Sequence, residues 1–181
     1  MRKKWAVICL LLTAAIILAA GFIIRPWVLR LDDQRRAKTV LLVRADPGDT
    51  FVLSYVHSVE RSPVRDYFQI DGDGRLTLYR TEFQSSNAGL PSRLAPGETL
   101  VRRNGNFRIS GRRLVLDEVS FWVGEAYGNA LFINEASYDL PALAGDALLK
   151  IHAVRTTAAE CLIFTLRGIA AGNCFRCARK G

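Results

Sequence analysis

The chain has 181 residues, 50% hydrophobic and 23% charged, with a formal net charge of +8. That apolar content supports a packed core and excludes a disordered chain. Residues 1–4 hold +3 of the charge, and the remaining +5 or so is scattered over many arginines; the concentrated basic stripe of a nucleic-acid binder is missing, which excludes that class.

Arg2, Lys3 and Lys4 form a short basic head. Residues 5–24 carry no charge, and twenty residues at helical rise cover about 30 Å, the thickness of a hydrocarbon core. Trp5 and Trp27 stand at the two ends, where amphipathic rings favour an interface, and Arg25-Pro26 stops the helix. Phe22-Ile23-Ile24 continue the apolar run past Ala19-Ala20-Gly21, so an uncleaved anchor is expected over residues 1–30 rather than a removed signal peptide. Basic residues occur on both sides of the span. The acid-free head places itself in the cytoplasm and the body outside, giving a single-pass protein of the inner membrane with a periplasmic body.

Residues 31–38 read as a polar spacer, and residues 39–168 as one β-rich domain. Strands are predicted over residues 39–44, 50–57, 64–70, 75–83, 106–109, 113–116, 119–123, 130–133, 148–156 and 160–166. Asp71-Gly-Asp-Gly74 is a hairpin signal, 85–97 a long polar loop, and 141–149 a turn or two of helix. Many short strands with turn signals every eight to twelve residues predict an all-β fold, a single β-sandwich or barrel-like domain behind one transmembrane helix.

Of four cysteines, Cys9 lies in the apolar span and Cys161 in a strand-like run, as a small buried hydrophobe. Cys174 and Cys177 form a C-x-x-C in the tail, residues 169–181. It lacks the strand and helix of a redox motif and the further ligands of a zinc site, which leaves a local disulfide or two free thiols.

The segment Ser54-Tyr-Val-His-Ser-Val-Glu-Arg-Ser-Pro-Val-Arg-Asp-Tyr-Phe68 carries polar groups inside an apolar hairpin. Alternation puts Phe51, Leu53, Tyr55 and His57 on one face and Val64, Asp66, Phe68 and Ile70 on the facing one. The register that matches the apolar sets pairs Phe51 with Ile70, Leu53 with Phe68, Tyr55 with Asp66 and His57 with Val64. Asp66 is then a diagonal neighbour of His57. Tyr55, His57 and Asp66 gather beside a loop carrying Ser58, Glu60 and Arg61, with Glu82 nearby. Such a cluster serves structural bonding, recognition or acid–base chemistry. No nucleophile elbow accompanies Ser58 or Ser62. A metal set of His57, Glu60 and Asp66 lacks a second histidine, because His152 is distant. No cofactor is expected.

The same residues resemble a bacterial family of uncharacterised proteins, domain-of-unknown-function family eighteen-fifty. The resemblance rests on Ser54-Tyr-Val-His-Ser-Val-Glu60 with Ser62-Pro-Val64 and Asp66, and on Phe83-Gln-Ser-Ser-Asn-Ala-Gly-Leu-Pro91. It covers about residues 40 to 155. Asn87 stands where the family has glycine, ahead of Gly89 and Pro91, and Asp66 where it more often has glutamate. The resemblance implies a small protein encoded beside TRAP transporters of the TAXI type, which import organic acids with an extracytoplasmic binding protein. The expectation is a non-enzymatic accessory protein. It contacts a transporter subunit or its substrate-binding protein, or takes an organic acid through arginines such as Arg61 or Arg65. The alternative is a metal-dependent or hydrolytic enzyme built on His57, Glu60 and Asp66.

Overall fold

The computed structural model describes residues 2–58, 61–84 and 94–170. After helix α1 (Arg2–Ile23) come strands β1 (Trp27–Asp33), β2 (Lys38–Arg44), β3 (Thr50–Val56), β4 (Pro63–Ile70), β5 (Leu76–Phe83), β6 (Thr99–Arg103), β7 (Asn106–Leu116), β8 (Val119–Val123), β9 (Ala130–Ile133) and β10 (Ala136–Asp139). Helix α2 (Leu140–Ala144), strand β11 (Ala147–Arg155) and helix α3 (Ala158–Ala170) follow. One sheet has the order β2-β1-β11-β8 and the other β10-β9-β3-β4-β5-β7-β6, with antiparallel pairing throughout.

Period-2 alternation produces the single core between them. Leu29 and Leu31 of β1, Leu41 and Val43 of β2, and Leu149 and Ile151 of β11 point inward from the first sheet. Phe51 and Leu53 of β3, Phe68 and Ile70 of β4, Leu76 and Leu78 of β5, and Leu131 and Ile133 of β9 meet them from the second. Phe51 stacks on Phe68 with ring centroids 5.0 Å apart. The chain is thus all-β as expected, in two antiparallel layers. β6 contributes nothing to this core; all five of its residues are exposed.

The turns follow local chemistry. Asp71 closes the β4–β5 hairpin by accepting from the backbone N–H groups of Asp73 and Arg75, as the Asp-Gly-Asp-Gly signal predicts. Gly74 at its end has φ +85°, and the ring of Trp27 lies against it, so that a Cβ there would come within 2.4 Å of the ring. Trp27 is a packing residue of β1, capped by the Arg155 guanidinium 5.1 Å from its ring centroid. β1 itself occupies residues read from sequence as anchor and spacer.

Three other expectations change. The predicted strands at 106–109 and 113–116 are one strand, β7, bulged at Gly111. β6 and β10 were not foreseen. Residues 160–166, expected as a strand, lie in α3. Its start is set by Thr157, whose hydroxyl accepts from the Glu160 N–H at 3.1 Å. Cys161 is buried as expected, but it packs from that helix with Phe164 onto Val28, Leu42 and Val154 of the first sheet's outer face.

α1 covers most of the predicted span, and Trp5, Ile8, Leu10, Leu11, Leu12, Ile16, Phe22 and Ile23 are all exposed. No helix among the described residues is long and apolar enough to cross a membrane, which corrects the expected single-pass span.

Candidate functional site

The β3–β4 hairpin keeps the predicted faces but not the predicted register. Phe51 pairs with Phe68, Leu53 with Asp66 and Tyr55 with Val64, a shift of two residues. A shift of two preserves which side chains face inward. It does move the hairpin end: β3 stops at Val56, and His57 begins the loop. Its N–H donates to the Ser62 carbonyl at 2.9 Å, and its own carbonyl accepts from the Arg61 N–H at 2.9 Å. Arg61 takes φ +47° there and is exposed, as is Ser58. His57 is half-buried at the start of this loop, and Asp66 is no longer its diagonal neighbour. Glu60, Asn87, Gly89 and Pro91 lie outside the described residues. Among those described, no group of three or more His, Cys, Asp or Glu could hold a metal ion.

Two polar arrangements occupy opposite faces of β4 and β5. On the inner face, Asp66 accepts from the Tyr55 hydroxyl at 3.2 Å and the Thr81 hydroxyl at 2.7 Å. Arg112 donates to the Thr81 hydroxyl at 3.4 Å and to Glu98 at 2.8 Å. Gly111 permits this chain. Its φ of +77° turns β7, and a Cβ would meet the Gly97 carbonyl oxygen at 2.2 Å. Burial pushes the Asp66 carboxyl above its ordinary 3.8, and the two hydroxyls and Arg112 offset only part of that. Burial, then the neighbouring Asp66, pushes the Tyr55 phenol well above its usual range. Tyr55 and Asp66 thus meet, as the sequence suggests, but as a hydrogen-bonded network with both carboxylate oxygens occupied.

Glu82, which the sequence groups with these residues, lies on the outer face. Register places Arg65 of β4 and Arg108 of β7 opposite it. Its Oε2 accepts from the Tyr67 hydroxyl at 2.7 Å and its Oε1 from Arg108 at 2.8 Å. The Arg80 guanidinium lies 3.6 Å from the Tyr67 ring centroid and 3.8 Å from Glu82. Burial raises the pKa of Glu82, but these donors outweigh it and hold the carboxyl below its usual value. A saturated, ionised carboxylate is a poor general base.

This face opens into a groove of about 480 Å³ at the ends of β4 to β7. Arg65, Glu82, Arg103, Asn106, Arg108 and Ser110 supply its polar wall. Phe83 and Phe107, also part of its lining, stack at 5.4 Å with their planes 6° apart. Arg108 is paired with Glu82, whereas Arg65 and Arg103 have no ion-pair partner among the described residues. The β6–β7 turn sets Arg103 in place. Asn104 (φ +50°) and Gly105 (φ +77°) form a tight hairpin, and Arg103 pairs with Asn106.

Sequence reasoning named Arg65 but missed Arg103 and Arg108. The available signal was Arg102-Arg103 directly before Asn104-Gly105, a hairpin dipeptide that fixes both arginines at a strand end. No curated protein and no solved structure matches the chain. Residues 51–140, which run from β3 into α2 and so include both arrangements, match the model of a family described only as a domain of unknown function, DUF1850.

Proposed function

We propose that this is a non-enzymatic binding protein whose outer groove takes a small carboxylate. One observation carries the reading: Arg65 and Arg103 stand in a walled groove without an acidic partner among the described residues. Guanidinium groups recognise carboxylates by charge-assisted, often bidentate, hydrogen bonds. The stacked Phe83–Phe107 pair gives an apolar surface for a short carbon skeleton, and Asn106 and Ser110 offer orienting polar groups. The carboxylates of the inner and outer arrangements are both fully engaged by donors, which favours binding over hydrolysis. The cluster reading of an enzyme on His57, Glu60 and Asp66 has less support, because Asp66 faces Leu53 and its oxygens are occupied.

The resemblance to proteins encoded beside TAXI-type TRAP transporters suggests the setting. In that setting the protein is an extracytoplasmic accessory of organic-acid import, held at the inner membrane through the apolar α1. It contacts the transporter or its substrate-binding protein near the β3–β4 loop.

Thermal denaturation of the full chain with a panel of mono- and dicarboxylates tests the binding claim. A ligand of the native state at a hundred times its Kd adds about 2.7 kcal/mol of stability. At least one carboxylate should raise the Tm of the wild type and leave an Arg65→Ala/Arg103→Ala variant unchanged. A panel without effect on the wild type contradicts it.

A further inference from the structure

We propose that α3 is a second membrane-contacting element, lying in the interfacial zone of an anionic bilayer beside α1. The inference rests on reading α1 as the attachment of the chain to a membrane. α3 is apolar on two opposite sides. One side, Cys161 and Phe164, is seated on Val28, Leu42 and Val154. The other, Leu162, Ile163 and Leu166, is 60%, 52% and 56% exposed. Three large apolar side chains at i, i+1 and i+4 make a stripe on one helix face.

The helix that carries this stripe adjoins α1. The two helices leave the body at one place, because β1 and β11 pair with Trp27 opposite Arg155. The Thr156 N–H donates to the Pro26 carbonyl and the Ala158 N–H to the Ile24 carbonyl, fastening the helix exits together. The Ala159 Cβ lies 3.8 Å from where a Cβ of Gly21 would stand, so the helices touch there. At 1.5 Å per residue the 13 residues of α3 measure about 20 Å, too short to cross a hydrocarbon core and suited to lying along its surface.

Charge identifies the occupant as a bilayer with anionic headgroups. Residues 1–31 and 158–181 carry nine basic side chains and one acidic one, Glu160, which pairs with Arg30. Residues 32–157 carry sixteen basic and sixteen acidic side chains, a net charge of zero. In sequence, the whole positive excess of the chain therefore lies in the two segments that contain its apolar helices. Each basic side chain near an anionic surface adds to the attraction.

Spin-label accessibility on the full chain in phosphatidylglycerol-containing vesicles decides this, with the native cysteines replaced by alanine. Labels go at Leu166→Cys on α3, Ile16→Cys on α1 and Thr99→Cys on the exposed β6. The Leu166→Cys label should collide with oxygen more than with a water-soluble nickel chelate, as the Ile16→Cys label does, and the Thr99→Cys label should show the reverse. A water-accessible label at 166 with a lipid-accessible one at 16 overturns the role of α3 alone. Water at both positions overturns the membrane reading with it. Spin–spin broadening at 166, signalling a second copy of the chain on that stripe, also overturns the proposal.

Discussion

At the scale of single residues, Asp66 shows how a buried carboxyl records its surroundings in stability. Its folded pKa lies above the 3.8 of the unfolded chain, with burial as the main cause. Between those two values the folded state binds more protons than the unfolded one, so this group's contribution to stability falls as pH rises. Asp33, Asp71, Glu82 and Glu98 have lowered pKa values and act in the opposite sense. Urea denaturation across pH 4 to 7 should therefore give an Asp66→Asn variant that gains stability with pH more steeply than the wild type. Parallel profiles would contradict the placement of Asp66. Asp66→Ala should cost roughly 1–3 kcal/mol at neutral pH, because the hydroxyls of Tyr55 and Thr81 lose their acceptor. The pairing of Tyr55 with Asp66 was legible in sequence because strand alternation survives a two-residue slip. The separation of Glu82 from them was not, since it depends on which residue of β5 meets Asp66.

At the scale of elements, the β4–β5 hairpin was readable because alternation and the Asp-Gly-Asp-Gly turn agreed, whereas β3–β4, with no turn dipeptide, kept its faces but slipped in register. β1 was hidden because its seven residues fall on both sides of the expected boundary between anchor and spacer, with Arg30, Asp32 and Asp33 breaking the apolar pattern of a strand. β6 was hidden because it is exposed on both faces and has no alternation to detect. α3 was misread because both of its sides are apolar, which erases the 3.6-residue period. The better guide was its start, Thr157-Ala-Ala-Glu160, the spacing of a helix capping box. The bulge in β7 carries its own test. Gly111→Ala combines a left-handed backbone, costing about 1–2 kcal/mol for a residue with a Cβ, with a 2.2 Å approach to the Gly97 carbonyl oxygen. Chemical denaturation should show a loss larger than that backbone term alone. A neutral result would mean that the turn placing Arg112 against Thr81 and Glu98 is drawn wrongly.

At the scale of the whole molecule, the two apolar helices α1 and α3 leave the body side by side, and an arginine-lined groove opens at the ends of β4 to β7. The groove was the least legible feature in sequence. Its residues come from four strands separated by a long loop, and each arginine taken alone reads as a solvated surface charge. Register brings them together: Arg65 opposite Glu82, Glu82 opposite Arg108, and Arg103 closing the edge at the β6–β7 turn. The direct test is calorimetric titration of the full chain in detergent with a short dicarboxylate, at low and high salt. Saturable one-site binding is predicted, weaker in high salt and abolished in Arg65→Ala/Arg103→Ala. Binding that survives the double substitution, or an absence of saturable heat in the wild type, would contradict the account.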